Sequence, residues 1–217
     1  MDIRLELPGV KLGVLEADGV EVQLVEPALA AEMDAVCERL RGELTVEKVA
    51  ELESVRAVRA MFHGWGLDPT RYRPSSEALL RRVVQGKGLY RVSNVVDANN
   101  LGSIETAWPY GCYDSAAVAP PVVLRHGLPG EMYQRIGKET WHLEGRPVLV
   151  DATGPFGSPT SDSTRTMVTE ATRQHLAVIY APVSAPDAVI MRALERLAER
   201  LKRTARATAA RCEIRVK

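Results

Sequence analysis

Cysteine is scarce in this chain of 217 residues: Cys37, Cys112 and Cys212 are odd in number and far apart. That spacing excludes a disulfide framework and a zinc motif, both of which need paired or closely set thiols. Reduced thiols in a cytoplasm are the expectation. Net charge is missing too, because 28 basic side chains balance 28 acidic ones. This argues against the bulk nucleic-acid affinity of a basic protein. No apolar run is long enough to span a membrane, so no membrane partner is expected. The opening residues Met1 to Val10 lack the basic start and apolar stretch of a secretory leader. Standard catalytic signatures are absent as well: there is no Gly-x-Ser-x-Gly elbow, no Walker loop and no His-Glu-x-x-His helix. Gly154-Pro-Phe-Gly157-Ser158 lacks the Gly-Lys-Ser/Thr ending of a phosphate loop. His63, His126, His142 and His175 are scattered and read as structural. No metal or cofactor is expected.

What is present is ordinary for a globular protein: 46% of the residues are hydrophobic and 26% charged. The chain suits one domain with a sizeable core, residues 55–217, carrying residues 1–54 as a packed extension. The charge is uneven. Residues 1–54 carry 13 acidic and 5 basic side chains, and residues 192–217 carry 9 basic and 3 acidic. Between them, Arg71, Arg73, Arg81, Arg82, Lys87 and Arg91 face only Glu77 within residues 71–91. These segments are either a phosphate-binding face or solvated helix faces paired with the acidic N-terminal part, and charge by itself favours the second.

Lys11–Glu16 and Val20–Val25 alternate around Ala-Asp-Gly and predict a hairpin. Helical spacing appears over Pro27–Leu40, Leu52–Trp65, from Ser75 to Val84, over Val92–Thr106 and over Pro186–Ala209. Short strands are expected at Ala116–Val118, Val122–Leu124, Pro147–Asp151, His175–Ala181 and Cys212–Val216. The irregular mixture indicates an α/β (α+β) fold, a mixed sheet with surrounding helices.

Three polar stretches stand out. Asn94, Asp97, Asn99 and Asn100 interrupt the 92–106 helix, where short polar side chains compete with the backbone for hydrogen bonds. They imply a site or a buried polar network. The second stretch is Pro109-Tyr-Gly-Cys-Tyr-Asp114. The third, Gly157 to Thr169, gathers hydroxyls around Asp162, Ser163, Arg165 and Thr166. It suits ribose hydroxyls, an amino group or a carboxylate, or else a capped turn.

Arg91-Val-Ser-Asn-Val-Val-Asp-Ala-Asn-Asn100 resembles the Arg-Pro-Ile-Ser-Asn-Val-Val-Asp-x-Thr-Asn segment of the phenylalanyl-tRNA synthetase beta chain. Pro109-Tyr-Gly-Cys-Tyr-Asp114 is similar to its Pro-Leu/Met-His-Ala-Phe-Asp. Thr166-Met-Val-Thr-Glu-Ala-Thr172 is similar to its Ser-x-Val-x-x-x-Thr. The resemblance covers residues 70–182 and is to the B3/B4 domain, which in the synthetase hydrolyses tyrosine wrongly attached to the phenylalanine tRNA. It implies a free-standing protein that deacylates aminoacyl-tRNA in trans. Asn100 and Asn94 would then orient the ester and Asp97 would hold the helix. Asn99, Gly111, Asp162, Ser163, Arg165 and Thr166 would bind the amino acid or terminal adenosine, on a pocket where loop 158–166 meets Asn100. Arg73, Arg81, Arg82, Lys87 and Arg91 would face RNA. The chain departs from the family at Gly111, where histidine is usual, at Asn99 for threonine, and near Tyr180 for a small alanine. A non-catalytic module that binds RNA or an amino acid, and a structural or partner-binding protein, therefore remain open alternatives.

Overall fold

A computed structural model describes residues 1–137 and 139–217. In chain order the elements are β1 (Ile3–Leu5), β2 (Val10–Asp18), α1 (Pro27–Glu43), α2 (Val46–Glu51), α3 (Glu53–Gly64), α4 (Ser75–Arg82), α5 (Asn94–Thr106), β3 (Tyr110–Asp114), β4 (Val122–His126), β5 (Met132–Gln134), β6 (Thr140–His142), β7 (Pro147–Asp151), β8 (Gly154–Gly157), β9 (Gln174–Pro182), α6 (Asp187–Ala205) and β10 (Ala209–Arg215). The order β1-β4-β7-β8 makes a mixed sheet, with β1 parallel to β4. The order β10-β2-β9-β3 makes an antiparallel sheet, and β5 pairs with β6 as a hairpin. The fold is α+β, with mixed sheets and helices around them. Among the described residues no helix is long and apolar enough to cross a membrane.

The core sits on the antiparallel sheet. β9 is buried at every position after Gln174, so both its faces are covered, and its sequence is a continuous apolar run rather than an alternation. Helix α6 lays Ile190, Leu194, Leu197 and Leu201 against the sheet, the stripe its periodicity specifies. Gly13 on β2 allows that approach, since a Cβ there would lie 2.9 Å from Ile190 Cγ2.

The expected hairpin does not form. β2 runs unbroken to Asp18 and pairs with β9 and β10, and Gly19, at φ +70°, turns the chain away. The backbone of 20–23 bonds elsewhere: Val20 N–H donates to Arg173 O, Glu21 N–H to Ala205 O and Gln23 N–H to Asn94 Oδ1. The alternation does not track burial there: Val20 is buried, Val22 half-buried, and Leu24 and Val25 are exposed. Ser115–Ala117 is a single 3-10 turn capped by Asp114 rather than a strand. The polar stretch 109–114 holds the edge strand β3. Residues 1–54 supply the paired strand β1 and a central strand, β2, so they belong to both sheets.

Candidate functional site

Helix α5 begins with polar residues because its first turn is buried. Ser93 caps it by accepting Val96 N–H at 3.4 Å, and the Asp97 carboxylate accepts Val92 N–H at 3.0 Å. Burial pushes the Asp97 carboxyl above the usual carboxylate range. Asn94 is fully engaged: its Nδ2 donates to Glu21 O at 2.9 Å and Thr204 O at 2.8 Å, and its Oδ1 accepts from Gln23 N and Val95 N. This side chain ties α5 to the 20–23 segment and to α6, which leaves no free group to orient a substrate. Asn99 is buried, and its Oδ1 has no partner among the described residues. Asn100 is half-buried. It lies three residues beyond Asp97, on the same side of the helix.

β3 is an edge strand, so one side of its backbone would face outward unpaired. Asp162 closes that edge. Its Oδ2 accepts Cys112 N–H at 3.4 Å, and its Oδ1 accepts Tyr113 Oη–H at 2.8 Å and Ser158 N–H at 3.2 Å. The Tyr113 hydroxyl also lies 3.3 Å from that of Tyr180. Burial pushes the Asp162 carboxyl up to about 7, against hydrogen bonds that lower it. The Cys112 thiol is pushed up as well, first by burial, then by the charges of Asp162 and Asp97. Helix α5 and the Asp162 loop both pack against β3.

The space over Gly111 is filled. Tyr113 and Gly111 alternate onto one face of β3, and the tyrosine ring lies across both Gly111 and Gly157. A Cβ at either glycine would fall 2.1 or 2.2 Å from Tyr113 Oη. The ring meets Phe156 edge-on at 5.0 Å. The open pocket expected over Gly111 is therefore closed, because a phenol occupies the volume that glycine vacates. The larger surface concavities lie elsewhere. One, of about 570 Å³, is lined by Glu105, Tyr110 and Arg200. Another, of about 440 Å³, is lined by Cys37, Lys87 and Arg91.

The other expected ligand-binding residues hold the loop itself. Ser163 caps the short 3-10 turn by accepting Arg165 N–H at 3.1 Å. Arg165 forks onto buried Asp151 at 3.0 and 3.1 Å and donates to Ala117 O and Gly154 O. Thr166 is fully buried, and its hydroxyl has no partner among the described residues. Of the expected RNA-facing set, Arg73 and Arg81 lie 3.6 and 3.7 Å from buried Glu77. Arg82 covers the Tyr90 ring at 4.0 Å, and Arg91 pairs with Asp34. Lys87 is exposed. Arg73, Arg81 and Arg91 thus face acidic residues, while Arg82 and Lys87 do not. Among the described residues no group of His, Cys, Asp and Glu could hold a metal.

Sequence reasoning missed Tyr113. The signal was a glycine two residues before a tyrosine in what proves to be a strand, with a second glycine at 157. Comparison with known proteins adds to the geometry. A family model described as the B3/4 domain matches residues 57–207. Among solved structures, an N-terminal fragment of the phenylalanyl-tRNA synthetase beta-subunit from Pyrococcus horikoshii aligns with 99% of this chain at 14% identity and a TM-score of 0.45. The chain spans about half, 51%, of that fragment. No curated protein matches.

Proposed function

We propose, from the premise that the chain belongs to the B3/4 domain family, that it hydrolyses the ester of a mischarged aminoacyl-tRNA in trans. The observation that carries this reading is the Asp162 carboxyl: it lies against the edge strand β3, burial pushes it up to about 7, and Tyr113 and Ser158 donate to it. A carboxylate with that pKa is suited to take a proton at neutral pH. Oδ2, held only by the long contact from Cys112 N, is the freer oxygen. It would accept a proton from the water that attacks the ester carbonyl. The new bond is water oxygen to carbonyl carbon, the broken bond is carbonyl carbon to ribose oxygen, and the proton passes on to that ribose oxygen. The Asn100 carboxamide would donate to the oxyanion. The resemblance of Ser93 to Asn100 to the synthetase segment supports the same substrate class.

The test is a deacylation screen of the purified chain against a panel of mischarged tRNAs. With its best substrate the rate should rise with pH through about 7, as Asp162 loses its proton, and Asp162→Asn should remove that rise. Asn100→Ala should lower the rate roughly ten- to a thousand-fold, the range for losing an oxyanion donor, with folding nearly intact. Wild-type turnover in both variants, or no turnover of any ester, contradicts the reading. A second reading, a non-catalytic module for RNA or an amino acid, is supported by the Tyr113 ring that fills the space between Gly111 and Gly157. Salt-dependent tRNA binding without ester turnover selects it.

A further inference from the structure

Beside the Asp162 loop the surface carries an alternating series of guanidinium groups and rings. Arg71 Cζ lies 5.2 Å from the Tyr72 ring centre, and Arg146 Cζ lies 4.4 Å from the same ring. Arg146 is also 4.8 Å from the Trp141 ring, and Arg135 is 5.2 Å from it. The series draws on two distant parts of the chain, the segment before α4 and the β5–β6 hairpin with the residues after it. Its charge is not neutralised locally. Arg59, Arg73 and Arg81 surround Glu77, Arg165 holds Asp151, and Arg200 holds Glu32 and Glu105. By contrast, none of Arg71, Arg135 and Arg146 has a carboxylate within 4.0 Å among the described residues. Arg146 is built into the series: its Nη2 donates to Tyr72 Oη at 3.3 Å, and its Nη1, buried between the two rings, has no acceptor among the described residues, while Arg71 is exposed.

The position of the series matters as much as its composition. Tyr133 Oη–H donates to Ser161 O at 2.6 Å, and Ile136 N–H donates to Asp162 O at 3.2 Å. From the other side, Ser75 N–H donates to Pro159 O at 3.0 Å. The hairpin and the segment before α4 therefore flank the loop that carries Asp162.

We propose that Arg71, Tyr72, Arg135, Trp141 and Arg146 form a track for single-stranded RNA that leads its end to the Asp162 loop. Unpaired bases stack on aromatic rings and on guanidinium planes, and this stacking tolerates any sequence. Arginines without carboxylate partners are free to neutralise phosphates and release their counterions. A duplex, whose bases are already stacked on each other, lacks the free faces that this surface takes. The track extends the function proposed above to a way of holding the substrate's RNA end. It does not depend on ester chemistry.

The test uses the full chain and an uncharged, fluorescently labelled single-stranded RNA oligonucleotide, with a duplex RNA of equal length as control. Anisotropy is read across a range of salt. The wild type should bind the single strand more tightly than the duplex. Arg71→Ala/Arg135→Ala/Arg146→Ala should flatten the log-affinity against log-salt slope by about 2, the value for three phosphate contacts on a single strand. Arg146→Lys keeps the charge but loses the planar stack, so it should weaken binding while leaving the slope in place. Trp141→Leu should weaken binding roughly five- to a hundred-fold with the slope unchanged. Thermal melts establish which variants remain folded, and the pair Arg71→Ala/Arg135→Ala, exposed and half-buried, serves if the larger changes unfold the hairpin. Unchanged affinity and slope in folded variants overturn the track, as does equal binding of duplex and single strand. If Asp162→Asn leaves deacylation untouched while the track variants still lose RNA, the proposed chemistry fails and the track stands.

Discussion

Asp162 joins the site to the stability of the chain. An exposed aspartate titrates near 3.9, whereas burial on β3 pushes this one up to about 7. The folded protein keeps a proton that the unfolded chain gives up. Its contribution is fully present below about pH 4 and is lost as the pH rises toward 7. The difference corresponds to at most about 4 kcal/mol. His175 acts in the opposite direction. Burial lowers its imidazole to about 4, so its contribution is present above about 6.5 and is lost as the pH falls through 4. The two slopes oppose one another over the window they share. Subtracting the urea-unfolding profile of Asp162→Asn from that of the wild type isolates the carboxyl. Relative to the variant, the wild type should lose stability between about pH 4 and 7, and parallel profiles would show that the carboxyl is not buried.

At the scale of elements, α4 is fastened through one carboxylate. Glu77 is 1% exposed and accepts Arg59 Nε and Nη2 at 2.8 and 2.6 Å, while Arg73 and Arg81 stand one turn before and one turn after it on the helix side. Without Glu77 three guanidinium groups would face each other in a partly dry space. Glu77→Gln should therefore cost roughly 3–5 kcal/mol in denaturant unfolding, whereas the exposed Glu47→Gln should leave the unfolding midpoint nearly unchanged. A Glu77→Gln loss as small as that of the control would mean that the arginines are held by solvent instead. The same geometry makes Arg81→Glu a poor probe of RNA binding, because it sets a second carboxylate beside Glu77.

The whole molecule is closed by its N-terminal strands. β2 lies between β10 and β9, and Leu12, Val14 and Leu15 are fully buried. β1 adds the parallel edge of the other sheet. Deleting residues 1–19 would leave β9 and β10 without their shared neighbour and open the apolar core to water. The shortened chain should show no cooperative thermal transition, and cutting near Leu52 should release no stable 55–217 fragment. A sharp melt from a 55–217 chain would instead make the first 54 residues an accessory layer.

The sequence by itself determined the main helices, because the stripes Leu29, Met33 and Leu40 on α1 and Ile190, Leu194, Leu197 and Leu201 on α6 record which side of each helix is dry. It also marked a strand at His175–Ala181, now β9, and the motif from Ser93 to Asn100 pointed to the family. What it could not determine were the partners. Asn94 reads as a substrate-orienting amide until the 20–23 backbone folds onto it, and Arg165 reads as a ligand-binding cation until Asp151 is placed beneath it. The Tyr113 phenol reads as one residue of a polar stretch until Gly111 and Gly157 are brought to either side of its ring. Tyr72 and Trp141 become one surface only when Arg146 stands between them. Periodicity reports whether a side chain is buried, because burial repeats with the geometry of its own element. Hydrogen bonds and ion pairs act over a few ångströms between segments far apart in the chain, so the tertiary structure alone decided which polar groups were already taken and which were left for a ligand.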